Sequence, residues 1–188
     1  MGKTIFINMN DVKIKGDILD MSSENSGIIY NISKDVEEEI CVDYVTSENK
    51  SVLDERKYDA CTFVFNFNNI LGNRRKAKVI KDVVKYLKED GEIYVWDVNK
   101  EGGRFINYKI NIALPHGEIK KAILKNYNPI ATCSINEIRK ILEKYCEIRE
   151  AKVWEDVFFI KAIKNKSQHR EELKNENIIN SNKLKVHS

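Results

Sequence analysis

Three polar residues of the chain stand at the ends of apolar runs, where a side chain can reach a bound ligand. They are Asp20, Asp43 and Asn66. If the runs are parallel strands of one sheet, their carboxyl ends meet along the edge where such sheets bind ligands. An acidic residue about 20 positions after the first strand's loop accepts hydrogen bonds from both hydroxyls of a ribose, and the step from Asp20 to Asp43 fits that spacing. The spacing predicts ribose binding by Asp43, with an ordinary strand-end aspartate as the alternative.

Further chemistry could come from other polar side chains. Asn66, Asn68 and Asn69 offer donors and acceptors for a cofactor or substrate, although the same residues also cap turns and helices. Asp97 ends another apolar run and is expected to face a substrate. His116 is a candidate general base, but its surroundings, PHGE, have ordinary turn composition.

The elements that must position these residues alternate between strand and helix. Continuous apolar runs are typical of strands covered on both faces, which predicts a parallel α/β sheet, and they occupy residues 16–21, 39–45, 59–67 and 91–98. The last two runs are separated by apolar residues at helical spacing, Ala77, Ile80, Val83, Val84 and Leu87. These residues predict a crossover helix that Gly91 ends.

The second half of the chain predicts a different arrangement. Ser134 and Glu137 form an S-x-x-E capping box that starts a helix. Residues 146–154 and 156–163 follow as two strand-like runs with almost nothing between them, which predicts an antiparallel hairpin. In the insertion 105–130, a strand and a turn precede IKKAILKNY, which fits either a returning strand or a helix. This insertion is where a cover over a substrate could lie.

Composition and charge limit the classes of function. The chain has 188 residues, of which 42% are hydrophobic and 32% charged, with 8 Gly and 2 Pro. This composition predicts one globular domain over residues 1–163, followed by a polar, disordered tail over 164–188. The tail holds six basic and three acidic residues, so it accounts for the whole net charge of +3. We therefore expect no nucleic-acid partner, and we interpret the basic run around Lys76 as a solvated helix face.

The cysteines and the N-terminus carry no signal for metal or membrane. The four cysteines lack C-x-x-C spacing and, with three histidines, form no zinc ligand set. We interpret them as small buried hydrophobes. No apolar stretch reaches 18 residues, and the N-terminal MGKTIFINMN holds no apolar run long enough for a signal peptide, which predicts a cytoplasmic protein without a membrane partner.

In the order of these elements, residues 14–163 resemble the class I S-adenosylmethionine-dependent methyltransferases. GDILDM is similar to the first strand of the family and its acidic end, VDYV to the second strand, KYDACTFVFNFNNI to the fourth-strand motif, and VVKYLKEDGEIYVWDVN to the helix, turn and fifth strand. The final hairpin is similar to the sixth and seventh strands. The resemblance implies a Rossmann-like sheet and S-adenosylmethionine as the cofactor. The cofactor-binding residues implied are Asp20, Ser22, Ser23, Glu24, Gly27, Asp43 and Asn66.

The chain departs from the family pattern in two places. The glycine-rich loop after the acidic residue reads SSENSG, residues 22–27, and only Gly27 remains of glycines that allow positive φ and close approach of a ligand. A carboxylate at Glu24 would repel the carboxylate of the cofactor. Only 15 residues, 44–58, separate Asp43 from Asp59, which is too short for the helix and strand that the family places there. The expected sheet order is therefore 2-1-4-5-7-6 in the family's strand numbering, without the edge strand.

These observations leave two functions open. The first is methyl transfer from S-adenosylmethionine to a small-molecule acceptor, for which no dedicated base is required. The second is a methyltransferase-like protein that no longer binds the cofactor and serves as an interaction or regulatory module. A nicotinamide-dependent enzyme is disfavoured by the lack of any G-x-G, and a P-loop enzyme by the lack of G-x-x-x-x-G-K. The acceptor and the oligomeric state stay open.

Overall fold

The main sheet follows the predicted order. The computed structural model describes residues 2–21, 27–34, 36, 41–44 and 53–166. The strands of these residues are β1 (Lys3–Asn8), β2 (Ile18–Asp20), β3 (Val42–Tyr44), β4 (Tyr58–Val64), β5 (Leu87–Val98), β6 (Ile106–Ala113), β7 (Ile119–Asn126), β8 (Cys146–Trp154) and β9 (Val157–Lys164). Six of them form one sheet in the order β3-β2-β4-β5-β9-β8. This is the order 2-1-4-5-7-6 expected from the sequence.

The directions of the strands agree with the prediction as well. The four strands β3, β2, β4 and β5 run parallel, whereas β9 is antiparallel to both β5 and β8. The predicted hairpin of β8 and β9 is therefore confirmed. Among the described residues no strand lies beyond β3; of the interval 44–58, which the sequence analysis found too short for a further helix and strand, residues 45–52 lie outside them.

A second sheet of three strands, β1-β6-β7, was not predicted as a whole. The insertion supplies the antiparallel pair β6 and β7, which decides that IKKAILKNY is a returning strand. β1 lies parallel to β6, with Ile5 opposite Ile110. Because this partner is about a hundred residues away in sequence, the short alternating run KTIFIN carries no local signal that would place it there.

Two apolar layers cover the two faces of the main sheet. Helix α1 (Ile28–Ser33) and the second sheet lie on one face, where Ile5, Ile29 and Trp96 belong to the same buried cluster. Helices α2 (Asn73–Tyr86) and α3 (Ile135–Leu142) lie on the other face, with Ile80 and Ile138 buried. Burial on both faces explains why the parallel strands are continuously apolar.

The prediction that Gly91 ends the crossover helix is wrong. The helix ends at Tyr86, and Gly91 lies inside β5. Leu87 already pairs with Tyr58, but the next pair is Glu92 with Ala60, so the residues between them bulge out of the ladder. A Cβ on Gly91 would meet the Leu87 Cβ and the Lys88 carbonyl oxygen at 3.0 Å each, which explains the glycine.

Helix α3 starts as predicted, although its cap is only half of a capping box. The Ser134 Oγ accepts a hydrogen bond from the Glu137 backbone N–H at 3.2 Å. The Glu137 carboxylate turns instead to the Thr132 hydroxyl and to Lys76. Within the described part of the chain, no helix is long and apolar enough to span a bilayer. Of the predicted tail, residues 167–188 lie outside the described residues.

Candidate functional site

The chain reverses its winding direction at β2. This strand lies between β3 and β4, so the chain moves to one side of β2 and then returns to the other. In an open parallel sheet such a reversal leaves a crevice beyond the carboxyl ends of the strands, because the connections diverge there. The site predicted from the sequence therefore centres on the ends of β2 and β4.

Asp20 and Asn66 lie together at this crevice. Asp20 is the last residue of β2 and is buried, and its Oδ1 accepts a hydrogen bond from the Thr62 hydroxyl at 2.9 Å. Thr62 is the register partner of Asp20 on β4. The Asn66 amide donates a hydrogen bond to the Met21 carbonyl oxygen, which ties the turn after β4 to the end of β2. The two predicted residues are thus positioned by the same two strands.

The turn that positions Asn66 begins with an unusual backbone conformation. Phe65 has a φ of 57° although it is not glycine, and its N–H donates to the Trp96 carbonyl oxygen at 2.8 Å. Such left-handed residues cost free energy and persist where the surrounding structure fixes them. Burial of the Phe65 side chain supplies that constraint at the end of β4.

Asp43 does not join this group. It is the register partner of Leu19, so its side chain lies on the opposite face of the sheet from that of Asp20. Its carboxylate accepts hydrogen bonds from the Tyr58 hydroxyl at 2.6 Å and from the Lys57 amine at 3.1 Å. The hydrogen bond from Tyr58 lowers the pKa of Asp43, and the Lys57 amine acts in the same direction. Asp43 thus joins β3 to the start of β4.

Comparison with known proteins gives a match in structure. No protein-family model and no curated protein matches the sequence. A Sulfolobus solfataricus protein described as a type 11 methyltransferase is 15% identical, with 82% of this chain and 86% of that chain covered and a TM-score of 0.52. A Listeria monocytogenes protein described as an S-adenosylmethionine-dependent methyltransferase is 11% identical, with coverage of 80% and 91% and a TM-score of 0.51. DhpI in complex with SAH is 14% identical, with coverage of 80% and 78% and a TM-score of 0.50.

The chain has the class I methyltransferase fold. The resemblance drawn from the strand order is therefore confirmed at the level of the fold. Ser22, Ser23 and Glu24, which occupy the place of the glycine-rich loop in this fold, lie outside the described residues. Gly27 directly precedes α1 with a φ of 66°, and its carbonyl oxygen accepts a hydrogen bond from the Asn31 side chain at 2.9 Å.

Asp97 does not face a substrate, contrary to the prediction from the sequence. It is fully buried at the end of β5, and its carboxylate accepts hydrogen bonds from the backbone N–H groups of Phe67, Asn68 and Val98 and from the Asn68 amide, at 2.6–3.2 Å. Burial raises the pKa of Asp97 to about 6, and these hydrogen bonds limit the rise. Asp97 therefore holds the turn that carries Asn66 and Asn68.

Asn126 is a supporting residue that the sequence analysis missed. It ends β7, is buried, and donates a hydrogen bond from its amide to the Asn68 carbonyl oxygen at 2.5 Å. The second sheet is thereby attached to the turn after β4. The only signal in the sequence is a polar residue at the end of an apolar alternation, and this pattern is common in strands that have no such contact.

Two lysines near this turn are buried, which corrects the interpretation of the basic run. Lys76 is fully buried, and its amine donates to the Thr132 carbonyl oxygen at 2.5 Å and to the Glu137 carboxylate at 3.3 Å. Lys100 donates to the carbonyl oxygens of Asn128 and Ala131, at 2.7 and 2.5 Å, and burial lowers its pKa. Both amines hold the segment after β7.

The remaining candidates lie away from the crevice or are structural. His116 lies in the predicted turn, which joins β6 to β7 at the end of the hairpin opposite Asn126. Of the cysteines, Cys61, Cys133 and Cys146 are buried as predicted, whereas Cys41 is exposed, contrary to the prediction. The described residues contain no group of three or more His, Cys, Asp or Glu that could hold a metal ion.

Proposed function

We propose that the chain binds S-adenosylmethionine in the crevice at β2 and β4 and transfers a methyl group to a small-molecule acceptor. The reversal of winding at β2, with Asp20 buried at its end, is the observation that carries the proposal. The complex of DhpI with SAH, a protein of the same fold, supports this assignment. Asp20 at the end of β2 and Asn66 in the turn after β4, which lie together at this crevice, would both contact the cofactor.

Methyl transfer requires correct positioning of the cofactor and the acceptor more than it requires acid–base chemistry. The cofactor supplies a sulfonium-bound methyl group, which passes to a nucleophile in line with the departing sulfur. The residues of this chain act by orientation: Thr62 fixes the Asp20 carboxylate, and the bond from Asn66 to the Met21 carbonyl fixes the turn. Ile18, in the same strand as Asp20, and Phe65, which precedes Asn66, belong to one buried apolar cluster and would exclude water beside them.

The first test is a calorimetric titration of the protein with S-adenosylmethionine and S-adenosylhomocysteine. We expect saturable binding in the micromolar range, weakened about tenfold or more in Asp20→Asn because one charge-assisted contact is lost. Glu55→Gln, at an exposed residue of the same charge, is the matched control and should bind as the unchanged protein does. Absence of heat and of any thermal shift at millimolar ligand would contradict the proposal.

The alternative, an interaction or regulatory module without cofactor, is favoured by one specific observation. Asp43, the residue expected to bind ribose, is already engaged by Tyr58 and Lys57 on the other face of the sheet. The sequence adds Glu24 in place of a glycine. Failure of the titration would therefore favour this second function.

Substitution of Asp43 separates its two roles. If Asp43 binds ribose, Asp43→Ala should weaken cofactor binding by about 1–3 kcal/mol, because charge-assisted hydrogen bonds are lost. Tyr58→Phe removes only the internal hydrogen bond and should leave affinity unchanged, which makes it the control. Unchanged affinity in Asp43→Ala, with a lowered melting temperature, would assign Asp43 to the internal contact alone.

A further inference from the structure

A pocket of about 420 Å³ lies outside the crevice described above. It is lined by Asn8 at the end of β1, by residues 11–13, and by the side chains that β5, β9 and β8 direct toward the same face of the main sheet. Neither Asp20 nor Asn66 lines it. A volume of this size is within the range of small-molecule sites.

The register of the strands makes one wall of the pocket aromatic. Trp96 is paired with Phe159, and their ring centroids are 4.9 Å apart, while Tyr94 stacks on Trp96 at 5.9 Å. Trp154 on β8 also lines the pocket. Phe159 and Trp154 are only partly buried against the core, so apolar ring surface is open to the cavity. Such a wall favours a planar apolar group, which gains stacking as well as burial.

The charged residues of the rim divide into two kinds. Lys161 is paired with Glu92 at 2.8 Å, and Lys152 is paired with Glu150. Asp11 and Lys13 are exposed, line the pocket only two positions apart, and form no ion pair with any described residue. One carboxylate and one ammonium at the mouth of an aromatic pocket are complementary to a ligand with one charge of each sign.

We propose that this pocket binds a small aromatic zwitterion, the chemical class of the free aromatic amino acids. The ring lies against Trp154 and Phe159, the carboxylate pairs with Lys13, and the ammonium pairs with Asp11. The proposal is independent of methyl transfer, since no residue is shared with the crevice at β2.

The two tryptophans of the chain make the test specific, because Trp96 and Trp154 both line the pocket. The probe is L-phenylalanine, titrated into the full chain while tryptophan emission is recorded. A saturable change is expected, and L-alanine, which lacks the ring, should produce none. Phenylacetate and phenethylamine, which each carry one of the two charges, should bind more weakly than L-phenylalanine.

Variants of Lys13 and Asp11 test whether the change in tryptophan emission depends on the charges at the rim of the pocket. Lys13→Gln should weaken the binding of L-phenylalanine and phenylacetate about tenfold and leave the binding of phenethylamine unchanged. Asp11→Asn should instead weaken the binding of phenethylamine and leave that of phenylacetate unchanged. Lys15→Gln, an exposed neighbour that does not line the pocket, is the control. The proposal is overturned if the emission does not saturate by about 10 mM L-phenylalanine, a concentration well above the Kd of a specific site. It is also overturned if L-alanine gives the same response, or if both variants bind L-phenylalanine as tightly as the unchanged chain does.

Discussion

Asp97 is the residue on which the turn beside the candidate site depends. Its two oxygens accept four hydrogen bonds, one from the Asn68 amide and three from backbone N–H groups. The carboxylate therefore satisfies backbone groups that would otherwise be buried without partners. Removal from water nevertheless raises its pKa to about 6. The same residue therefore organises the turn and makes stability depend on pH.

The sign of that dependence follows from linkage. The pKa of Asp97 is about 6 in the folded chain, against 3.8 for an unperturbed aspartate carboxyl, so the folded state binds the proton more tightly. Its contribution to the free energy of unfolding should fall by about 3 kcal/mol as the pH rises from about 4 to about 6. Denaturant unfolding at a series of pH values measures this contribution.

The variant Asp97→Asn should lack this fall, because the amide does not titrate. Glu89→Gln, at an exposed carboxylate, should retain it. If Asp97→Asn shows the same fall in stability with pH, another group titrates over this range. The charge on Asp97 would then not lower the free energy of unfolding.

At the scale of elements, two serines near helix ends make opposite contributions. Ser134 caps α3, since its Oγ accepts a hydrogen bond from the Glu137 N–H. Ser33 ends α1 with its Oγ buried and without a hydrogen-bond partner among the described residues. A capping hydroxyl stabilises a helix, whereas an unpaired buried one costs free energy.

The same substitution should thus have opposite effects at the two positions. Ser134→Ala should lower the free energy of unfolding by about 1 kcal/mol, and Ser33→Ala should leave it unchanged or raise it by up to about 1 kcal/mol. Thermal and denaturant unfolding of the two variants measure both effects. A loss of stability in Ser33→Ala comparable to that in Ser134→Ala would mean that the Ser33 hydroxyl is bonded.

At the scale of the whole molecule, Asp156 joins the two sheets. It lies in the turn between β8 and β9 and accepts hydrogen bonds from Lys3 on β1, Tyr108 on β6 and Arg104, at 2.8–3.0 Å. Burial alone would raise the pKa of Asp156, but the bonds from Arg104, Lys3 and Tyr108 outweigh it and lower the pKa to about 2. One carboxylate thus fixes the second sheet against the hairpin.

Because the folded-state pKa of Asp156 is depressed, its contribution to stability is present above about pH 4 and is lost as the pH falls toward 2. We expect Asp156→Asn to lower the free energy of unfolding at neutral pH by about 2 kcal/mol, and the difference from the unchanged protein to vanish near pH 2. Its neighbour Glu155, which pairs with Lys3 at the surface, is the control, and Glu155→Gln should cost less than about 0.5 kcal/mol. Equal losses in the two variants would contradict the role of Asp156 in joining the two sheets.

The sequence by itself determined the order of the main elements. Apolar runs such as the one that ends in Asp20 need cover on both faces, the helical spacing of Ile80 and Val83 supplies that cover, and the short link before Val157 permits only a hairpin. These are local patterns, because each depends on residues within one element or its immediate neighbour. The strand order and the fold followed from them.

Only the tertiary structure decided what depends on distant partners. β1 gains its place from β6, the start of β5 is set by pairing of Leu87 with Tyr58 rather than by Gly91, and Asp43 is turned to Tyr58 by the register of β3 on β2. Lys76 is buried because the segment after β7 brings carbonyl and carboxylate acceptors to it. Periodicity records which face of an element is apolar, but not which polar group from elsewhere in the chain will meet it there.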